Sequence, residues 1–341
     1  MVNRQFVTAL LTLALITIAT TTRADLVVLQ YHHISDSTPP STSTSVSLFK
    51  AQLDMIENLG LPVVDLHTAT RAALAGDPAQ KVALTFDDAY DSVYQQAAPM
   101  LAKRNWPYTV FVNTRAVGSE GYMTWNQLAE LASREGVTIA NHSADHGHLA
   151  RKPGESVEAW HSRISKSLDQ AQSALRDRLG TDAPLFAYPY GEFDAALEAE
   201  LSERGWFGYG QQSGAIGSQS SKTRLPRFPM ANAYGQLSTL KTKLQSQAFP
   251  VDADALPDGV LASNPPTLSF PLADSLNKAR LTCFASGMGR IDVTVDDGMV
   301  LVQAPEPFNS RRFRYNCTHP AKDGSYYWLS QQWLDLSQPE D

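Results

Sequence analysis

The chain has 341 residues, 43% of them hydrophobic and 18% charged, and a formal net charge of −7. That length accommodates one large domain and a small one. An acidic balance without a basic run argues against nucleic acid or another polyanion as the main partner, and a neutral polymer suits it better. The first 24 residues read as a signal peptide. Arg4 supplies a basic start, Val7 to Thr20 is apolar and uncharged, and Thr22-Arg23-Ala24 offers small residues for cleavage. The apolar stretch is shorter than the roughly 20 residues a spanning helix needs, and no later stretch is long and apolar enough to span. The expectation is an exported protein, periplasmic or secreted, with no membrane span after cleavage.

From residue 26 to 250, strand-like and helix-like segments alternate. Leu26-Tyr31, Pro62-Asp65, Lys81-Phe86, Tyr108-Asn113, Val137-Ala140 and Pro184-Tyr188 are apolar runs of strand length. Between them lie helical patterns at Leu48-Leu59, Asp91-Arg104, Trp125-Glu135 and Glu155-Leu179. In the first of these, Phe49, Leu53, Ile56 and Leu59 form one apolar face, Ser47 is the expected N-cap and Gly60 the expected stop. Thr124 is the expected N-cap before Trp125. Such alternation indicates a parallel sheet, open or closed into a barrel. Residues 249–266 are rich in Pro, Asp and small residues and read as a linker. Beyond them, residues 267–341 read as a small β-rich domain, with Asp296-Asp297-Gly298 as a hairpin turn between Arg290-Val295 and Met299-Gln303. The two cysteines, Cys283 and Cys317, are expected to form the disulfide of an exported protein, with two free thiols as the alternative.

The residues with chemistry sit at strand ends. Lys81-Phe86 runs into Asp87-Asp88, and Val137-Ala140 runs into Asn141-His142-Ser143-Ala144-Asp145-His146-Gly147-His148. The carboxyl ends of parallel strands are where such sheets place active sites. His142 and His146 are four apart, so on a helical turn both imidazoles face one way and can hold a divalent metal. With one carboxylate they leave coordination positions open, as hydrolytic sites require. Asp145 and His148 read as supporting groups in the loop.

These residues resemble the motifs of the NodB-type polysaccharide deacetylases, carbohydrate esterase family 4. TFDDAY at 85–90 resembles the first motif, HSADH at 142–146 the second, and YPYG at 188–191 the third. The resemblance covers roughly residues 26 to 245. It implies a distorted (β/α) barrel of about seven strands. It also implies Asp87 as general base, and Asp88, His142 and His146 as ligands of a divalent metal. Zinc is the usual ion, with cobalt, nickel, iron or manganese as alternatives. Pro189 and Tyr190 would line the groove, with the Tyr190 backbone N–H aiding the oxyanion.

The third motif lacks the Arg many members carry before its Pro, and the late segment Leu225-Pro226-Arg227-Phe228-Pro229 lacks their late His. The start Tyr31-His32-His33-Ile34 resembles the poly-N-acetylglucosamine deacetylase branch, which implies His32 as the general acid. Arg227 is a candidate to orient Asp87. Trp206 and Tyr209 are candidates for the groove wall. Tyr326, Tyr327, Trp328 and Trp333 are either core or a sugar-stacking surface. The implied activity is metal-dependent removal of N-acetyl groups from β-linked N-acetylglucosamine polymers or oligomers. The alternatives are O-deacetylation of another glycan, a carbohydrate-binding protein without turnover, or a scaffold or export partner. The sequence leaves the oligomeric state open.

Overall fold

A computed structural model describes residues 25–340, and the expected signal peptide lies outside them. The central strand, Leu26–Tyr31, is buried along its whole length. A strand covered on both faces reads as a continuous apolar run, and LVVLQY is one. Neighbour by neighbour, the sheet runs Phe228–Pro229, Leu26–Tyr31, Lys81–Phe86, Tyr108–Val112, Val137–Asn141, Leu185–Ala187 and Phe207–Tyr209. All these pairings are parallel. Leu225 bridges Tyr209 just before Phe228 pairs with Leu29, so one short segment spans the gap between the sheet's two edges. The result is the expected distorted barrel.

Several local expectations need correcting. The first helix spans Val46–Asn58 and is capped by Ser45, not Ser47, because Ser43–Thr44 is held as a short strand beside His33–Ile34. Pro62-Asp65 forms only an isolated bridge from Val63 to Val82, since Asp65 turns away to cap the helix Leu66–Leu74. The expected helix at 91–104 contains a π-helical stretch, Val93–Ala97, followed by Ala98–Ala102. Pro99, just beyond that stretch, has no N–H to donate to a regular helical ladder. Thr124 caps Trp125–Ala132 as expected, in a reciprocal capping box with Gln127.

The C-terminal region builds two sheets. One holds Gln247–Ala248, Tyr326–Leu334, Arg312–Pro320, Thr282–Ala285 and Gly289–Ile291; the other holds Thr267–Pro271, Met299–Gln303 and Val293–Asp296. The hairpin turn falls at Asp297 (φ 43°) and Gly298 (φ 74°), the left-handed pair that two-residue hairpins favour. Cys283 and Cys317 lie opposite each other on paired strands and are joined by a disulfide.

The stretch 249–266, expected as a linker, is packed. Phe249 and Val251 belong to the C-terminal core, and backbone bonds tie Leu261 and Gly259 to Leu334. Its apolar residues alternate with the polar ones that gave it a linker composition. Of the tail aromatics, Trp333 is buried in that core, while Trp328 packs edge-on against Phe228 of the barrel at 5.1 Å. Trp333 is thus a core residue, and Trp328 joins the C-terminal sheet to the barrel.

Candidate active site

Because the barrel strands are parallel, their carboxyl ends share one rim. His32 follows the first strand there, Asp87 and Asp88 follow the second, His142 follows Val137–Asn141, and Pro189-Tyr190 follows Leu185–Ala187. His32, Asp88, His146 and Tyr190 line one open cleft.

Asp87 is fully buried. Its two oxygens accept from Arg227 Nη1 at 2.7 Å and Nη2 at 2.8 Å, and Oδ2 also accepts from Gln30 Nε2 at 2.7 Å. Burial alone would raise the pKa of this carboxyl, but Arg227 above all holds it well below the usual range, so it stays anionic. Arg227 is itself fully buried and donates to the Gly210 carbonyl (2.8 Å) and to Thr85 Oγ1 (3.2 Å).

Asp88, His142 and His146 each present one ligand atom, all within 4.8 Å of one another. The His142 ring donates through Nδ1 to the Ala187 carbonyl at 2.7 Å. That fixes the tautomer and leaves a lone pair on Nε2, which is buried and lacks a hydrogen-bond partner. Asp88 Oδ1 lies 3.5 Å from His142 Nε2 and 3.3 Å from His146 Nε2. Burial lowers the pKa of His142 to about 3 and also lowers that of His146, so both rings are neutral. Burial raises the Asp88 carboxyl to about 6. Two neutral imidazoles and a carboxylate around an orphaned ring nitrogen fit a divalent cation.

The two histidines do not share a helical turn. They lie in an irregular loop in which Asn141 Oδ1 accepts from Ser143 N (2.8 Å) and Ser143 Oγ accepts from His146 N (3.0 Å). Ser143 and His146 take φ of 66° and 52°. Asp88, Ala89 and Tyr190 are also left-handed, so unfavourable backbone is concentrated around this rim.

Tyr190 is pinned from both sides. Its ring stacks on His148 at 4.1 Å, and the Arg312 guanidinium lies 5.1 Å from its centroid. Behind it the buried Glu192 accepts from Arg311 Nε (2.9 Å) and Arg312 Nη1 (2.7 Å), and pairs with His148 Nδ1 (2.8 Å). Desolvation would raise the pKa of Glu192, but His148, Arg311 and Arg312 hold it at about 2. A folded-state pKa below the unfolded value of about 4.3 adds stability above that pH and loses it as pH falls through the folded value. Glu192→Gln is therefore expected to be less stable than wild type at pH 7. The gap should close as pH drops from about 4.3 towards 2, which urea melts across that window would show.

Trp206 and Tyr209 do not belong to the groove wall. Trp206 precedes the strand Phe207–Tyr209, at the end away from the rim, and packs on Phe186 at 6.2 Å under Arg204. Tyr209 is fully buried, with its hydroxyl 2.8 Å from Thr70 Oγ1. The sequence gives little sign of the cleft residues Gln30, Arg312, Arg314 and the exposed Tyr234, or of the buried Glu192 behind them. Only the Arg-Phe-Arg alternation at 312–314 hinted that two cations share one strand face.

The fold and site together define a parallel α/β barrel with an Asp-His-His cation site and a guanidinium-paired carboxylate on its carboxyl rim. Residues 75–206 match the family model described as polysaccharide deacetylase. It is 24% identical over 277 residues to the poly-beta-1,6-N-acetyl-D-glucosamine N-deacetylase of Escherichia coli, a match covering 68% of this chain and 41% of that protein. The enzyme of the same name from Staphylococcus epidermidis is 26% identical over 163 residues, covering 46% of this chain and 56% of that one. The chain thus spans less than two thirds of the length of each of these two relatives. In fold it is similar to IcaB from Ammonifex degensii, with a TM-score of 0.55 and 25% identity over 64% of this chain and 94% of that one.

Proposed function

We propose that this protein is an exported, metal-dependent N-deacetylase acting on β-linked N-acetylglucosamine chains of the poly-N-acetylglucosamine type. The observation that carries the reading is the buried Asp87, anchored by two bonds from Arg227, beside the triangle of Asp88, His142 and His146 in an open cleft. The names of the relatives support the substrate class. The Cys283–Cys317 disulfide supports an oxidising compartment. Among the described residues no helix is long and apolar enough to cross a membrane.

Asp88, His142 and His146 would hold the cation, with zinc the first candidate. When bound, such an ion supplies Lewis acidity, bringing the pKa of water near 7 and polarising the acetamide carbonyl. Asp87, kept anionic and fixed in orientation, accepts the proton of the attacking water. The Tyr190 N–H donates to the developing oxyanion. His32, across the cleft, returns a proton to the departing amine. His33 is differently employed: it stacks on Tyr90 at 3.5 Å, and burial, then the neighbouring His32, lowers its pKa to about 4.

Acetate release from N-acetylglucosamine oligomers, before and after chelation and re-addition of zinc or cobalt, tests the reading. Loss on chelation and return on re-addition is expected; no release from a cation-loaded protein sinks it. His32→Ala should slow turnover about 10²-fold with cation stoichiometry unchanged. Turnover equal to wild type would assign the proton to another group.

A further inference from the structure

The C-terminal domain supplies part of the cleft wall. Residues alternate along Arg312–Pro320, with Phe313, Tyr315 and Cys317 buried in their own domain and Arg312 and Arg314 on the other face. The two-residue period of a strand puts both guanidiniums on that face, and both line the cleft with His32, Asp88, His146 and Tyr190. Their circumstances differ. Arg312 is ion-paired with Glu192 at 2.7 Å. The Arg314 side chain makes no ion pair or hydrogen bond with any described residue, while its backbone bonds Ser286 and is paired with Gln332 in the sheet.

A partly buried guanidinium without a counter-ion is costly. Its environment reflects this: burial pulls the Arg314 pKa down to about 10, Tyr234 pulling the other way and Arg312 adding to the fall. It remains a cation at neutral pH. Among the described residues the only acid lining the cleft is Asp88, which faces the two imidazoles. Beside Arg314, Tyr234 is 59% exposed and offers an aromatic face at the cleft rim.

We propose that Arg314, with Tyr234 beside it, forms a subsite for a carboxylate carried on the glycan near the sugar being deacetylated, so that the C-terminal domain selects N-acetylated chains bearing acidic groups. This rests on the deacetylase reading for its chemistry but not for its binding. A planar guanidinium suits a carboxylate through two parallel bonds, and the aromatic ring covers the apolar face of the adjoining sugar. The same chemistry could serve the acetate released by the reaction, and the test separates the two sources.

The probes are N-acetylglucosamine oligomers lightly O-carboxymethylated, compared with the same oligomers lightly O-methylated as neutral controls. In the wild-type protein KM should be about tenfold lower for the carboxymethylated set, the scale of a charge-assisted bond. The preference should weaken in high salt. Arg314→Gln should bring the ratio near one, and Arg314→Lys should restore part of it. Equal KM values in wild type, or a preference that survives Arg314→Gln, overturns the proposal. Acetate inhibition relieved by Arg314→Gln, without preference between the oligomers, assigns the site to the product instead. If no oligomer releases acetate, the deacetylase reading fails, and affinity electrophoresis through carboxymethylated against methylated polymer still decides the subsite. Retardation by the acidic polymer alone, lost in Arg314→Gln, supports it; equal mobility overturns it.

Discussion

Asp87→Asn should lower acetate release from N-acetylglucosamine oligomers by about 10³- to 10⁴-fold, the upper range for removing a positioned proton acceptor, while the protein still binds one divalent cation. The separation of effects follows from geometry. Asp88, not Asp87, lies within 3.5 Å of the two ring nitrogens, so the cation site keeps all three of its groups. Asn keeps the shape of Asp but cannot take a proton near neutral pH. It also turns one accepting oxygen into a donor facing Arg227 or Gln30, which now bond to Asp87 as donors. Some loss of stability will accompany the substitution, so the folded fraction must be measured beside the rate. A folded, cation-loaded Asp87→Asn protein working within tenfold of wild type would remove Asp87 from the role of base.

Much of this rim could be read along the chain because strand ends are local features. Lys81–Phe86 and Leu26–Tyr31 are largely buried, mostly apolar runs, and the polar residues that follow them fall on the rim. His142 and His146 could be paired by spacing, although the loop that brings them together depends on left-handed residues and side-chain bonds at Asn141 and Ser143. A four-residue interval suits a helical turn equally well, and spacing could not choose between them.

Features that depend on distant packing stayed hidden. Nothing local marks Phe228–Pro229 as a barrel strand; its two residues pair only because Leu29 and Gln30 are already in place. Trp206 was misjudged because an aromatic next to a short strand gives no sign of which end it occupies, and here Gly205 and Trp206 lead into the strand. Glu192 and Arg312 are 120 residues apart, and each alone reads as an ordinary surface charge. Composition makes 249–266 read as a linker because Pro, Asp and small residues are frequent in it, yet Phe249 and Val251 are buried in the C-terminal core and Gly259 and Leu261 bond Leu334.

Arg227→Met tests whether barrel closure and the orientation of the base are one device. The guanidinium sits on the segment that spans the sheet edges, and it bonds Asp87, Thr85 and the Gly210 carbonyl, joining three strand ends. Met fills similar space but leaves Asp87 a fully buried carboxylate with Gln30 as its remaining side-chain donor among the described residues. Breaking a buried pair from one side typically costs about 3–5 kcal/mol, mostly for the stranded charge. Urea unfolding should therefore show a loss of that order. The double variant Asp87→Asn/Arg227→Met should recover much of it, because no charge is left buried, and the two effects will not add. Activity should follow a different course: kcat falls in both variants, since neither holds an oriented carboxylate, whereas cation binding persists in both. A single variant as stable as wild type would show that Asp87 finds another counter-charge. A double variant no more stable than the single one would show that the lost bonds to Gly210 and Thr85, and not the stranded carboxylate, account for the cost.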